Sequence, residues 1–102
     1  MSKVYIDSDV KLNIRIVFED GTTIGNNDFY IELFCTPRKV LTITKAEAKK
    51  VNAETYKVMF NTGDVGVGEL ACRVVAEIAD TDFPDKLRKT VKVINTGISI
   101  VR

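Results

Sequence analysis

The 102-residue chain has no histidine and no tryptophan, only two cysteines and two prolines, and no excess of either charge. Without histidine it lacks the commonest general base and the commonest zinc ligand, which disfavours catalysis while leaving paired carboxylates as a route. Cys35 and Cys72 are too few for a disulfide scaffold and are not spaced for metal. Both fall on inward strand positions, where a free thiol behaves as a small apolar group, so a buried reduced pair is expected, with a disulfide as the alternative. Fifteen Lys and Arg against fourteen Asp and Glu leave a formal charge of +1 scattered along the chain, without the basic stripe that nucleic acid requires. The densest basic cluster, Lys86, Arg88, Lys89 and Lys92, reads as a solvated strand face. No segment approaches the roughly 18 apolar residues of a membrane span, and Met1-Ser2-Lys3-Val4 lacks the apolar stretch of a signal peptide. The expectation is a cytoplasmic chain with neither a membrane nor a nucleic-acid partner.

What is present is alternation. Length fits a single domain, residues 1–102, and 45% hydrophobic against 28% charged residues argues for a folded core. Val10, Leu12, Ile14, Ile16 and Phe18 alternate with a mostly polar set, as a strand with one dry face requires. Glu19-Asp20-Gly21-Thr22-Thr23 supplies a turn. Phe29, Ile31, Leu33 and Cys35 define a second strand with apolar residues on both faces, stopped by Pro37, and Val40–Thr44 a third. Thr44 and Glu47 match a capping box, so residues 45–52 read either as a short helical turn or as a polar hairpin connection. Tyr56, Val58 and Phe60 mark another strand, and Leu70, Cys72, Val74, Ala76 and Ile78 another. Asp80–Asp85 is turn-rich, Leu87–Asn95 forms a strand around Val91 and Val93, and Gly97 separates it from Ile98–Val101. With Val4–Ile6, this makes about seven or eight strands on short turns, an all-β antiparallel sandwich or barrel.

Few of these residues carry chemistry. Gly63-Asp-Val-Gly-Val-Gly68 resembles the start of a phosphate loop, but Glu69 and Leu70 stand where Lys and Ser/Thr are needed, and a strand follows in place of a helix. The glycines are expected to permit a tight or positive-φ connection. Asp80, Asp82 and Asp85 form the one acidic cluster, yet the spacing does not continue into a calcium loop, and a solvated turn is expected there and at Asp7 and Asp9. Cys35 has no imidazole to activate it. Tyr5, Tyr30, Phe34 and Tyr56 are candidates for exposed aromatic surface or for a covered second sheet face. No catalytic, cofactor-binding or metal-ligating residue is assigned.

The stretch "VGVGELACRVVAEIADTDFPDKLRKTVKVINTGISIV" resembles the closing portion of small β-sandwich modules of Bacteroides prophages and crAss-like phages, and "DFYIELFCTPRKV" is similar to their preceding strand and Thr-x-Pro-Arg-Lys corner. Such modules are similar to the N-terminal immunoglobulin-like domain of phage baseplate upper proteins. The resemblance implies an immunoglobulin-like sandwich without cofactor, a structural or fibre-anchoring part of a virion. Its partners would be other virion proteins or copies of itself, and it would reside in the host cytoplasm during assembly and in the virion afterwards. Thr36–Val40 and Ile98–Val101 are the edge segments expected to make contacts. The alternative is a carbohydrate- or cell-surface-binding sandwich using exposed aromatics and the Asp80–Asp85 loop.

Overall fold

The computed structural model describes residues 2–18 and 28–102. The turn expected at Glu19–Thr23 lies outside the described residues. Among the described residues there are eight strands: β1 (Ser2–Tyr5), β2 (Asp9–Arg15), β3 (Asp28–Thr36), β4 (Lys39–Thr44), β5 (Lys49–Lys50), β6 (Thr55–Asn61), β7 (Gly68–Ala79) and β8 (Leu87–Val101). They form a five-stranded sheet in the order β1-β8-β7-β3-β4 and a three-stranded sheet in the order β2-β6-β5. The chain is thus an all-β, two-layer sandwich.

The period-two apolar sets close one dry layer between the sheets. Ile31, Leu33, Cys72, Val74 and Ala76 of the larger sheet and Ile14, Tyr56 and Val58 of the smaller one are all buried in one core. Phe29 of β3 meets Tyr56 of β6 edge-on, with ring centroids 4.8 Å apart, which ties the layers at one end. Fifteen residues of β8 at ~3.3 Å per residue account for almost all of the 47 Å long axis.

Three expectations need correction. The sheet is mixed, because β1 pairs parallel with the end of β8, from Ser2 beside Ile98 to Tyr5 beside Val101. The physical reason is that the chain must leave this sheet and enter the other within three residues, which it does through Asp7 at φ 66°. Gly97 does not divide two strands: β8 runs through it as an irregularity in which Glu69 pairs with Ser99 but Ala71 with Asn95, with Gly97 at φ 71°. Residues 45–52 hold no helix. The Glu47 carboxylate accepts from the Thr44 amide (3.1 Å) and hydroxyl (2.9 Å), and the Glu47 and Ala48 amides return to the Thr44 carbonyl, so the capping chemistry closes a single turn before β5. The amide bond from Thr44, then the hydroxyl bond, holds the Glu47 carboxyl below its ordinary value.

Thr62, in a 3-10 turn over Thr62–Asp64, is fully buried and joins the two sheets. Its hydroxyl donates to the Tyr5 carbonyl (2.9 Å) and accepts from the Ser8 amide (2.9 Å), while its own amide donates to the Ser8 carbonyl (2.9 Å). The crossing from β1 to β2 therefore hangs on one side chain. Thr62→Val keeps the shape and orphans two backbone groups, and is expected to lower unfolding free energy by about 1–3 kcal/mol. Thr62→Ser, which keeps the hydroxyl, should cost only about 1 kcal/mol. Urea melts of the two variants check the order, and an equal loss in both would show that the hydroxyl is not what matters.

Candidate functional site

The larger sheet has a second face, turned away from the core. Its register aligns Thr44, Tyr30, Val75 and Val91 in one row, Thr42, Glu32, Arg73 and Val93 in the next, and Val40, Phe34, Ala71 and Asn95 in a third. This face carries an apolar patch of Tyr30, Phe34, Val40, Ala71, Val75, Val91 and Val93, continues into a charged row of Asp28, Glu77 and Lys89, and is covered by no strand of the described residues. Val93 is 65% exposed, Val91 49%, Val40 39% and Tyr30 37%. Val75, between Tyr30 and Val91, is only 4% exposed, as is usual for a strand whose two faces are both dry. The centre is polar: Arg73 Nε donates to Glu32 Oε1 at 2.8 Å, and the guanidinium lies 5.5 Å from the Phe34 ring centroid. The Glu32 hydrogen bond and then its charge raise the Arg73 pKa above its ordinary value.

The smaller sheet's outer face is its opposite in character. Lys11, Asn13, Arg15, Lys57 and Lys49 lie outward, Lys49 pairs with Lys57 in register, and Arg15 is neutralised by Glu54 at 2.9 Å. Like charges directly opposite disfavour pairing slightly and keep water on this surface.

The structure redistributes the residues singled out in the sequence. In the strand Leu87–Asn95, Val91 and Val93 point outward, and Ile94 packs against the core. Lys92 lies on the inner side and donates to the Val17 carbonyl at 2.5 Å, beside a groove of about 380 Å³ lined by Arg15, Val17, Phe18 and Lys92. Lys86, at φ 62°, closes the β7–β8 hairpin, Lys89 is exposed, and Arg88 Nε lies 3.5 Å from Asp80 Oδ2. Two of the three aspartates use their carboxylates in that turn: Asp80 accepts from the Asp82 amide and Asp85 from the Leu87 amide. Asp9 accepts from Asn61 at 3.1 Å. Among the described residues no three His, Cys, Asp or Glu side chains are grouped to hold a metal ion.

Of the aromatics, Tyr30 and Phe34 lie on the outer face, Tyr56 is buried, and Tyr5 is 67% exposed on the short terminal strand. Thr36–Val40 leads into β4, which lies at the edge of the larger sheet. Ile98–Val101 is covered by β1, which leaves Leu87–Asn95 as the part of β8 that pairs, among the described strands, with β7 alone. Sequence reading reached this outer face through Tyr30 and Phe34 and missed how far β7 and β8 extend it. Its signal was the apolar content of the second alternating set, with Ala71 and Val75 interleaved with Arg73.

The glycine-rich segment turns out to be a packing device. Cys35 Sγ lies 3.4 Å from the Gly66 carbonyl oxygen and 3.5 Å from that of Gly68, and a Cβ on Gly68 would sit 3.3 Å from the Cys35 Cβ. Gly68 also has φ +133°, whereas Gly97, at φ +71°, has open space around it. Cys35 and Cys72 are both free thiols in the same sheet.

Comparison with protein-family models, with curated proteins and with solved structures found no match.

Gly68→Ala combines backbone strain with contact and is expected to cost about 1–3 kcal/mol, against about 1–2 kcal/mol for Gly97→Ala. Thermal melts should therefore rank Gly68→Ala below Gly97→Ala, and the reverse order would discount the Cys35 contact. Burial pushes the Cys72 thiol up to about 12 and raises that of Cys35. The folded state keeps a proton that the unfolded thiol releases, so this stability is complete below about pH 8.5 and is lost as pH rises from there through about 12. At pH 8 an aromatic disulfide reagent is expected to leave Cys72 untouched until the chain is unfolded. Stability of Cys72→Val should fall less than wild type between pH 8 and 10; fast native labelling of Cys72 would contradict the burial argument.

Proposed function

We propose that this chain is a non-enzymatic structural or fibre-anchoring module of a phage or prophage particle, working through protein–protein contacts. The observation that carries the reading is the apolar outer face of the five-stranded sheet, where valines up to 65% exposed surround one ion pair. An exposed apolar patch on a sheet is a surface that association removes from water. The polar side chains of the sequence meanwhile serve the architecture: Thr62 at the sheet crossing, Thr44 with Glu47 at a turn, and Asp80 and Asp85 at the hairpin.

Strand order supports the immunoglobulin-like part of the reading. The arrangement β8-β7-β3-β4 against β2-β6-β5 matches the GFCC′ and BED order of immunoglobulin sandwiches, with β1 beside the last strand. The antibody hallmarks have no counterpart, since the chain lacks tryptophan and its two cysteines lie in one sheet. The likeness is therefore one of topology.

Mass spectrometry of particles purified after prophage induction tests the role. The chain is expected in intact particles at a fixed ratio to a major capsid or tail protein. Val91→Asp, on the outer face, is expected to fold and yet be reduced at least tenfold in those particles. A wild-type chain left wholly in the soluble lysate would overturn the virion reading.

A further inference from the structure

β8 is fifteen residues long, and β1 covers only its last four, Ile98 to Val101. Along Leu87–Asn95 the same edge of β8 pairs with no other described strand, while β7 holds the opposite edge in unbroken register from Asn95 beside Ala71 to Leu87 beside Ala79. Nine residues at ~3.3 Å leave roughly 30 Å of straight edge, on which alternate residues turn their N–H and C=O groups away from β7. We infer that this edge takes an extended segment of a partner polypeptide as a further strand. The segment carries an acidic side chain on its inner side, beside Lys92, and apolar residues outward, beside Val91 and Val93. This surface is separate from the outer face, so the inference does not rest on the virion reading.

Topology leaves room for such a strand. β1 already pairs with β8 on this side and stops at Ser2 beside Ile98, so a segment laid in line with it meets Leu87–Asn95. Immunoglobulin sandwiches carry a further strand next to the one that β2 matches. Here β2 pairs, among the described strands, with β6 alone, so this flank is open in both layers.

Charge decides which segment fits. Leu87–Asn95 contains Arg88, Lys89 and Lys92 and no acidic residue. Two of these cations already have an acid beside them: Arg88 lies 3.5 Å from Asp80, and Lys89 stands opposite Glu77 of β7. Lys92 stands opposite Val74, and the bond printed by its geometry goes to a neutral oxygen, the Val17 carbonyl. It lines the groove of about 380 Å³ between β8 and the end of β2, where Arg15 is the second cation. An inward side chain on the added strand enters that groove. A lysine on an open edge deters strands in general, because pairing beside it takes its charge out of water. A strand with a carboxylate at that position compensates the charge and becomes the favoured occupant. A second β8 brings no acid in any register of Leu87–Asn95, and β4, uncharged from Val40 to Thr44, selects no partner chemistry.

The outward side sets the alternate positions. Val91 and Val93 are 49% and 65% exposed, and valine or threonine beside them removes apolar surface from water. The favoured segment therefore alternates acidic and apolar residues, with the acids turned toward the sandwich.

A synthetic peptide, Thr-Val-Glu-Val-Glu-Val-Glu-Val-Thr, tests the pairing on the intact chain by NMR titration and amide hydrogen exchange. Dissociation on the order of 100 µM is expected at low salt, weakening as salt is added. Alternate amides within Leu87–Asn95 are expected to exchange at least fivefold more slowly, and those of β4 to stay unchanged. Lysine in place of the glutamates should weaken binding at least tenfold, and Lys92→Gln, with its melting temperature as control, at least threefold. The lysine peptide reads the charge requirement whether or not Lys92→Gln folds. Proline in place of the valines keeps the charge, removes amide hydrogens and should abolish binding. No binding at 1 mM, equal binding of the lysine or proline peptide, or protection of β4 in place of β8 would each overturn the inference. Protection of the same amides in the chain alone, as its concentration rises to 1 mM, would put a second copy on the edge and overturn the acidic partner. The particle experiment reads the outer face, so either proposal can fail alone.

Discussion

The structure depends on β7 being apolar on both sides. Val74 and Val75 are adjacent in sequence, point to opposite faces and are both buried, at 0% and 4% exposure. Val74 is buried by the second layer, since it belongs to the core that joins the two sheets. Val75 has no layer above it among the described residues and is shielded in the plane of the sheet, with Tyr30 on one side and Val91 on the other. Each fully buried valine is worth about 1.5–3 kcal/mol, so the inner face is where stability comes from. The outer face obtains part of the same effect from lateral packing alone, which leaves its remaining apolar surface in water.

Polar groups, by contrast, are committed to holding the chain's path. Thr62 lets β1 sit beside β8 while β2 belongs to the other sheet, by satisfying backbone groups of Tyr5 and Ser8 that the crossing would otherwise leave unpaired. Asp80 and Asp85 cap the hairpin whose long strands set the molecule's length. A buried backbone group without a partner costs as much as a lost hydrogen bond, so these assignments follow from the topology and need no ligand to explain them.

Much of the layer structure was legible because alternation has a physical cause. Ile14, Ile31, Leu33, Tyr56, Val58, Leu70 and Val74 are inward where period two places them. The strand after the hairpin does not declare its inner face: Val91 and Val93 alternate with Thr90, Lys92 and Ile94, so hydrophobicity alone favours the valines. The register across from Cys72, Val74 and Ala76 puts Ile94, Lys92 and Thr90 inward, and Lys92 is accommodated because its amine reaches a carbonyl at the sandwich margin. Gly97 looked like a terminator because its positive φ suits a turn, yet within a strand the same dihedral accommodates an irregular register. Thr44 and Glu47 form the bonds of a capping box, but Lys49 and Lys50 are drawn into pairing with β6 before a second turn can form. Parallel pairing of β1 leaves no mark in a four-residue segment.

The Glu32–Arg73 pair explains how so apolar a face coexists with water. Partly exposed, with the Arg73 side chain 41% accessible and that of Glu32 17%, the pair adds little to stability, of the order of 0–1 kcal/mol. Its effect is one of selection. The guanidinium over Phe34 masks part of the ring while water is present, and any partner that covers the face must take both charges out of water. A purely apolar partner offers nothing in return for that desolvation. A partner whose own charges stand in mirrored order compensates both ions at once, so the ion pair that contributes least to the fold imposes the strictest condition on what can bind.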